Sequence, residues 1–221
     1  MSEKIKAVKK RSELRDILDR HRIFVSTVAS FSQNDQLLRL KTFHRLVVDE
    51  ASQLTEPQVV GLLTRFEHFT LIGDHRQLPA VTAQRQESTV VQDADLNAIG
   101  LSDLRESYFE RLFLRCKKNN WTWSYAQLER QGRMHEAIMD FPGKWFYENK
   151  LQVLHSTTQK APIDYRLPDT EAEFGALIAG RRVVFLPVVC AETLNPGQKT
   201  SAEEAALCAR IALYFKQLWK I

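Results

Sequence analysis

The stretch from residue 43 to residue 79 constrains this chain most. It opens FHRLVVDEASQLTEPQ and closes FTLIGDHRQLP, so two short apolar runs each stop abruptly at acidic residues. In a sheet buried on both faces, strands read as continuous apolar runs and ligands sit at their carboxyl ends. Asp49, Glu50 and Asp74 are therefore expected on one edge of one sheet, where nucleotide chemistry is usually done. Between the runs, Thr55 suits an N-cap, Glu56 a first turn and Pro57 an early helical position, while Val59, Val60, Leu62, Leu63 and Phe66 supply a packing face. A strand, helix, strand order with short connections is a right-handed parallel crossover, which places the two acidic ends side by side.

Each acidic end carries its own chemistry. Four residues of strand followed by Asp49-Glu50 have the form of a Walker B box, in which the first acid reaches Mg²⁺ and the second orients or deprotonates water; a strand ending in a solvated turn reads the same way. Gln77 follows Asp74 on one loop, and its neutral amide can donate to a phosphate oxygen while accepting from water. Upstream, residues 22–28 (RIFVSTV) read as a strand leading into a small polar loop. Thr27 and Ser30 there are either contacts to the phosphates of a nucleic-acid strand or ordinary helix caps.

Composition narrows the field. A chain of 221 residues with 44% hydrophobic and 26% charged residues is an ordinary globular composition, enough for one large domain or two small ones. No run approaches the roughly 18 apolar residues needed to cross a bilayer, and the first twenty residues are too charged for a signal peptide, so no membrane association and a cytoplasmic location are expected. Cys116, Cys190 and Cys208 lack CxxC spacing, which argues against a disulfide framework and against structural zinc. The net charge of +4 arises within residues 1–22, which hold eight Lys or Arg against four acids. That basic start is either a phosphate contact or the solvated face of a surface helix over residues 4–20.

Three boxes in order carry a resemblance. DEASQ, GDHRQLP and QGRMHEAIMDFPGKWFYENKL are similar to motifs of superfamily 1 helicases, in the branch of the nonsense-mediated-decay helicase and its relatives, which show DE(A/S)xQ, GDxxQLxP and QYRMHPxIxxFPxxxFYxxxL. The resemblance covers roughly residues 23–151 and, more weakly, the rest. It implies an α/β fold of the RecA-like P-loop NTPase kind, a parallel sheet with flanking helices. An incomplete first RecA-like domain would span residues 1–124 and the beginning of a second residues 125–221. It implies ATP and Mg²⁺ as cofactors and single-stranded DNA or RNA as partner. By the same resemblance Asp49 would hold the metal, Glu50 would activate water, Gln77 and Arg133 would sense the γ-phosphate, and Gln53 and Asp74 would belong to the nucleotide site. Arg133 would stabilise charge on the transferring phosphoryl from a second domain. Two positions depart from the pattern: Gly132 stands where the family has a base-stacking Tyr, and Glu136 where it has Pro. His135 is expected to be a structural partner rather than a metal ligand or base.

The remaining segments are read more coarsely. Residues 83–103 look like a long, mobile loop with one helical turn, residues 107–114 a helix, residues 123–128 a strand or linker, and residues 155–173 a loop. The aromatic segment 141–147 is expected to pack beneath the second domain's sheet, and residues 182–187 (RVVFLP) to form a strand. Ser201 with Glu204 reads as a capping box opening a helix whose stripe is Ala205, Cys208, Ile211, Ala212, Phe215 and Trp219. No G-x-x-x-x-G-K-[ST] occurs, and residues 197–200 (GQKT) do not serve as one. The chain is therefore expected to be a fragment whose phosphate loop lies upstream, with weak nucleotide binding and no turnover of its own. A non-catalytic nucleic-acid-binding or regulatory protein on a degenerate helicase scaffold is the other reading of the missing loop and of Gly132.

Overall fold

The computed structural model describes residues 11–33, 35–163, 172–178, 181–189 and 201–219. The basic residues before position 11, Cys190 and the GQKT stretch lie outside them. The chain divides into two compact units, Met1–Ala126 and Gln127–Ile221. Among the described residues, no helix is long and apolar enough to cross a membrane.

The first described helix of the first unit is α1 (Arg11–Asp19), where Leu14, Ile17 and Leu18 turn inward among charges. The strand expected over residues 22–28 does not form. Phe24 packs edge-on against Phe43, with ring centroids 5.1 Å apart, but Ile23 and Val25 are 83% and 94% exposed and residues 21–27 join no ladder. Without a hydrogen-bonding neighbour an apolar run gains nothing from extending. Helices α2 (Val28–Ser32) and α3 (Asp35–Leu40) follow.

Strand β1 (Arg45–Val48), helix α4 (Glu56–Leu63) and strand β2 (His68–Leu71) form the parallel crossover, with Arg45 opposite His68 and Val48 opposite Leu71. Thr55 is the N-cap of α4, and its N–H donates to Gln58 Oε1 at 2.9 Å. Val48, Ala51, Val59 and Leu63 make the core, joined by Leu46, Leu71, Tyr108 and Phe109. Only one face of this strand pair is deeply covered: Val47 is 62% exposed. The pattern that suggested burial on both faces was set instead by Leu46 and Val48 facing α4.

Residues 89–104 are less free than their polar sequence implies. Val90 and Asp103 form an antiparallel bridge, Val91 N–H donates to Ser102 O at 2.9 Å and Leu104 N–H to Thr89 O at 2.9 Å, so the neck is closed. Asp93 caps helix α5 (Ala94–Ala98) by accepting from the N–H groups of Asp95 and Leu96. Thr89 and Leu101 are buried at its base. Arg105 clips the neck: its Nε donates to Asp103 Oδ1 at 3.0 Å and its Nη2 to Asp103 Oδ2 at 2.5 Å. This guanidinium, with the Arg105 N–H, holds the Asp103 carboxyl well below the usual carboxylate range. A depressed carboxylate stabilises the folded state above its ordinary value of 3.8 and loses that contribution only as pH falls through the lower folded value. Protection of the Val91 and Leu104 amides from hydrogen exchange should therefore stay constant from pH 7 down to about pH 4. Asp103→Asn should lower it at pH 7, and equal protection in the two proteins would show that the clip does not close the neck.

Helix α6 (Tyr108–Lys118) starts at Ser107, which accepts from Glu110 N–H at 3.2 Å. Residues 122–124 make a short 3₁₀ turn, and residues 125–128 enter no strand and contain the boundary between the two units, so of the two expectations for 123–128 the linker agrees with the structure.

In the second unit, β3 (Arg130–Gln131) and β4 (Gln152–Val153) pair in parallel around helix α7 (Glu136–Phe146). Helix α8 (Ser156–Gln159) is one turn where a loop was expected. Helices α9 (Ala172–Ile178) and α10 (Ala202–Trp219) complete the described elements. Three expectations are corrected here. Residues 182–187 do not enter a sheet. Val184 and Leu186 pack on Ile178 and Tyr214, while Phe185 is 88% exposed, so the segment alternates like a strand without a ladder among the described residues. In α10 the inward residues are Leu207, Ile211, Tyr214 and Phe215, whereas Ala205, Cys208 and Ala212 are exposed; the large side chains set the face and the small ones follow. Ser201 does cap α10, accepting from Glu204 N–H at 3.1 Å. Phe141, Trp145 and Phe146 cluster on one another, but remain on the surface of α7 rather than beneath a sheet.

Candidate functional site

The parallel register brings the two acidic ends together. Ile72 N–H donates to Val48 O and Ala51 N–H to Ile72 O, both at 2.8 Å, so the strand pairing continues past the regular strands into the loops that carry Asp49, Glu50 and Asp74. Buried Ser52 joins them: its Oγ accepts from Asp74 N–H at 3.1 Å. Gly73 sits against this junction. A Cβ there would lie 2.9 Å from Ser52 N and 3.3 Å from Ala51 N, both backbone atoms. Gly73→Ala must therefore shift one loop, and a cost of about 1–3 kcal/mol is expected from chemical denaturation. A change below about 0.5 kcal/mol would mean the loops part freely.

The acids and amides of this edge hold one another. Asp49 Oδ1 accepts from Glu50 N–H at 3.0 Å, and Glu50 adopts a left-handed conformation with φ of 53°. Such a backbone is uncommon outside glycine, and clusters at functional sites. Gln53 Nε2 donates to Glu50 Oε2 at 3.1 Å. On the second loop, Asp74 Oδ2 accepts from Gln77 Nε2 at 2.9 Å and Asp74 Oδ1 from Arg76 N–H at 3.0 Å. Asp49, Glu50, Gln53 and Gln77 are exposed and Asp74 is half-buried. Among the described residues, no group of three or more His, Cys, Asp or Glu is gathered to hold a metal ion. Mg²⁺ is commonly bound through one or two carboxylates plus substrate phosphates rather than by an all-protein cage, and an exposed carboxylate at a strand end, Asp49, fits that donor set.

Arg133 lies in the second unit. Gln131 Oε1 accepts from the N–H groups of Arg133 and Met134, at 3.0 and 2.7 Å. The Arg133 side chain is exposed and makes no hydrogen bond or ion pair among the described residues. His135 is the N-cap of α7: Nδ1 accepts from Ala137 N–H at 3.1 Å, which leaves the ring proton on Nε2 to donate to Ala161 O at 3.1 Å. Both ring nitrogens are thus engaged in holding the loop. A Cβ at Gly132 would meet Leu154 Cδ2 at 3.4 Å, ordinary contact, so this backbone does not demand glycine.

Thr27 is the N-cap of α2, and Oγ1 accepts from Ser30 N–H at 3.2 Å. The structure therefore joins the two residues in one capping turn, in the same unit as the acidic edge. Two further residues escaped the sequence reading. Buried Gln159 in α8 reaches the Arg133 loop, and Arg111 in α6 reaches Glu56 at the start of α4. Gln159 sits in a bland polar run, STTQ, with no periodic signal. Arg111 was visible only as part of a helix.

The three sequence boxes fall on a parallel strand pair ending in acids and amides and on an arginine loop in a second unit. Two family models, each described as an AAA domain, match residues 1–85 and 104–220. The chain belongs to this AAA-domain family and is superfamily 1 helicase-like. It is 33% identical over 147 residues to the DNA replication ATP-dependent helicase/nuclease DNA2 of Bos taurus, covering 66% of this chain and 12% of that protein. It is 35% identical over 138 residues to the probable helicase MAGATAMA 3 of Arabidopsis thaliana, covering 62% and 14%. With the ATP-dependent helicase upf1 of Schizosaccharomyces pombe it shares 29% identity over 127 residues, covering 57% and 12%. The matched region is about one-eighth of the length of these relatives.

Proposed function

We propose that this chain forms part of an ATP-driven motor on single-stranded DNA or RNA, built from two RecA-like domains, the first within residues 1–124 and the second beginning within residues 125–221. The observation that carries the reading is the shared edge, where the parallel register sets Asp49 and Glu50 beside Asp74 and Gln77. In this mechanism Asp49 is the ligand for Mg²⁺, which supplies neutralisation of phosphate charge when bound. Glu50 takes a proton from water or orients it, and Gln53 keeps one Glu50 oxygen directed. Gln77 meets the terminal phosphate with its amide, and Asp74 fixes that amide by accepting one of its protons. Arg133 provides a guanidinium for charge developing on the transferring phosphoryl group. Thr27 and Ser30 meet the nucleic-acid backbone, with the Thr27 hydroxyl proton still available to a phosphate oxygen.

The test is nucleotide-dependent strand separation by the longest native polypeptide that contains these residues, on matched DNA and RNA substrates. Hydrolysis of ATP stimulated by at least one polymer is expected. Binding of nucleic acid without any stimulated hydrolysis would instead favour a non-catalytic protein on the same scaffold, the reading that Gly132 supports.

A further inference from the structure

The loop that presents Arg133 is held from beneath by a side chain outside the sequence boxes. Gln159 is 4% exposed, and every hydrogen-bonding position of its amide that matters to the loop is used. Its Nε2 donates to Gln131 O at 2.9 Å and to Met134 O at 2.7 Å, the carbonyls on either side of Gly132-Arg133. Its Oε1 accepts from His155 N–H at 2.7 Å, at the end of β4. The Gln131 side chain grips the same loop by accepting from Arg133 and Met134 N–H and donating to Met134 O at 2.9 Å. Arg133 therefore has a backbone clamped by two amides beneath a guanidinium that is exposed and unpaired among the described residues.

We infer that Gln159 is a positioning residue for Arg133, fixing the 131–134 backbone from which the guanidinium extends. The inference rests on the reading of Arg133 as the group that meets the terminal phosphate. A group that acts on a ligand at the end of a long side chain needs its backbone set by supporting hydrogen bonds, because small displacements are costly to catalysis. Only a neutral amide of this length gives two donors to the loop and one acceptor to His155. A carboxylate would turn oxygens toward two carbonyls, and an apolar side chain would leave Gln131 O, Met134 O and His155 N–H without these partners.

Two measurements test this. In the 221-residue chain, Gln159→Met should raise hydrogen exchange at the Arg133 and Met134 amides about tenfold while leaving α10 unchanged. In the native polypeptide containing this chain, the same change should lower kcat for ATP about 10- to 100-fold with KM within about threefold, as expected for a misplaced group. In an Arg133→Ala background it should cause no further loss. If the Met variant fails to fold, Gln159→Glu keeps the size and the acceptor for His155 while removing the two donors, and carries both measurements. Unchanged exchange, unchanged kcat, or an equal loss in the Arg133→Ala background would overturn the positioning role. If Arg133→Ala itself retains kcat, the phosphate reading fails whatever the exchange shows. If Arg133→Ala loses kcat and Gln159→Met does not, the positioning role alone fails.

Discussion

Replacing Arg111 with Met is expected to destabilise the first unit by about 3–5 kcal/mol, the usual cost of removing one member of a buried ion pair. Arg111 and Glu56 side chains are 11% and 8% exposed, and the pair is bidentate: Nε to Oε2 at 2.7 Å and Nη2 to Oε1 at 2.5 Å. Loss of Arg111 leaves the Glu56 carboxylate buried without its cation at the start of α4. The same guanidinium donates to Ile99 O at 2.8 Å and lies 5.3 Å from the centre of the Tyr108 ring, so without it the tip of the 89–104 loop is left with the longer Arg115 Nη1 bond to Ile99 O, at 3.4 Å. The hydrogen bond to Glu56 raises the Arg111 pKa, so the arginine stays charged across the accessible pH range. A midpoint for thermal unfolding lower by on the order of 10 °C follows from about 3 kcal/mol in a chain of this size. A midpoint within about 2 °C of the parent would refute a stabilising role. Adding Glu56→Gln to Arg111→Met should recover part of the loss, because the stranded charge is then removed.

In the native polypeptide, Glu50→Gln is expected to lower ATP turnover by about 100-fold or more, the scale of a lost general base. The substitution is a clean probe. A glutamine at position 50 can still present a carbonyl oxygen to Gln53 Nε2, so the hydrogen bond at 3.1 Å has a replacement and the left-handed backbone is not perturbed by size. Nucleotide affinity should stay within about threefold, since the change removes proton transfer rather than binding. Turnover within about threefold of the parent would remove Glu50 from the mechanism and transfer the search for a base to the Asp74-Gln77 loop.

The crossover was legible because three levels of information agreed. Thr55, Glu56 and Pro57 mark a helix start, the apolar runs mark its flanking strands, and their parallel pairing puts both acidic ends on one edge. Residues 22–28 misled because apolar, β-branched composition reports fitness for a sheet and not the presence of a neighbour. Residues 182–187 misled for the same reason. In α10, Ala205 and Ala212 fitted the helical period but carried too little surface to compete with Leu207 and Tyr214 for the interior. Candidate site residues were nominated where chemistry and motif coincide, as at Asp49, Glu50, Gln77 and Arg133. Gln159 was not, because a single buried amide has no periodicity and its partners lie 25 and 28 residues away in sequence.

The clasp at Ser52 has a mechanical consequence. The Ala51 to Ile72 bond and the Asp74 to Ser52 bond couple the two loops of the acidic edge, and Gly73 leaves no room for a Cβ between them. Loops tied in this way have little compliance of their own. In the proposed motor such an edge would serve as a stiff reference surface, against which the arrival or departure of a terminal phosphate would be felt as displacement of something else.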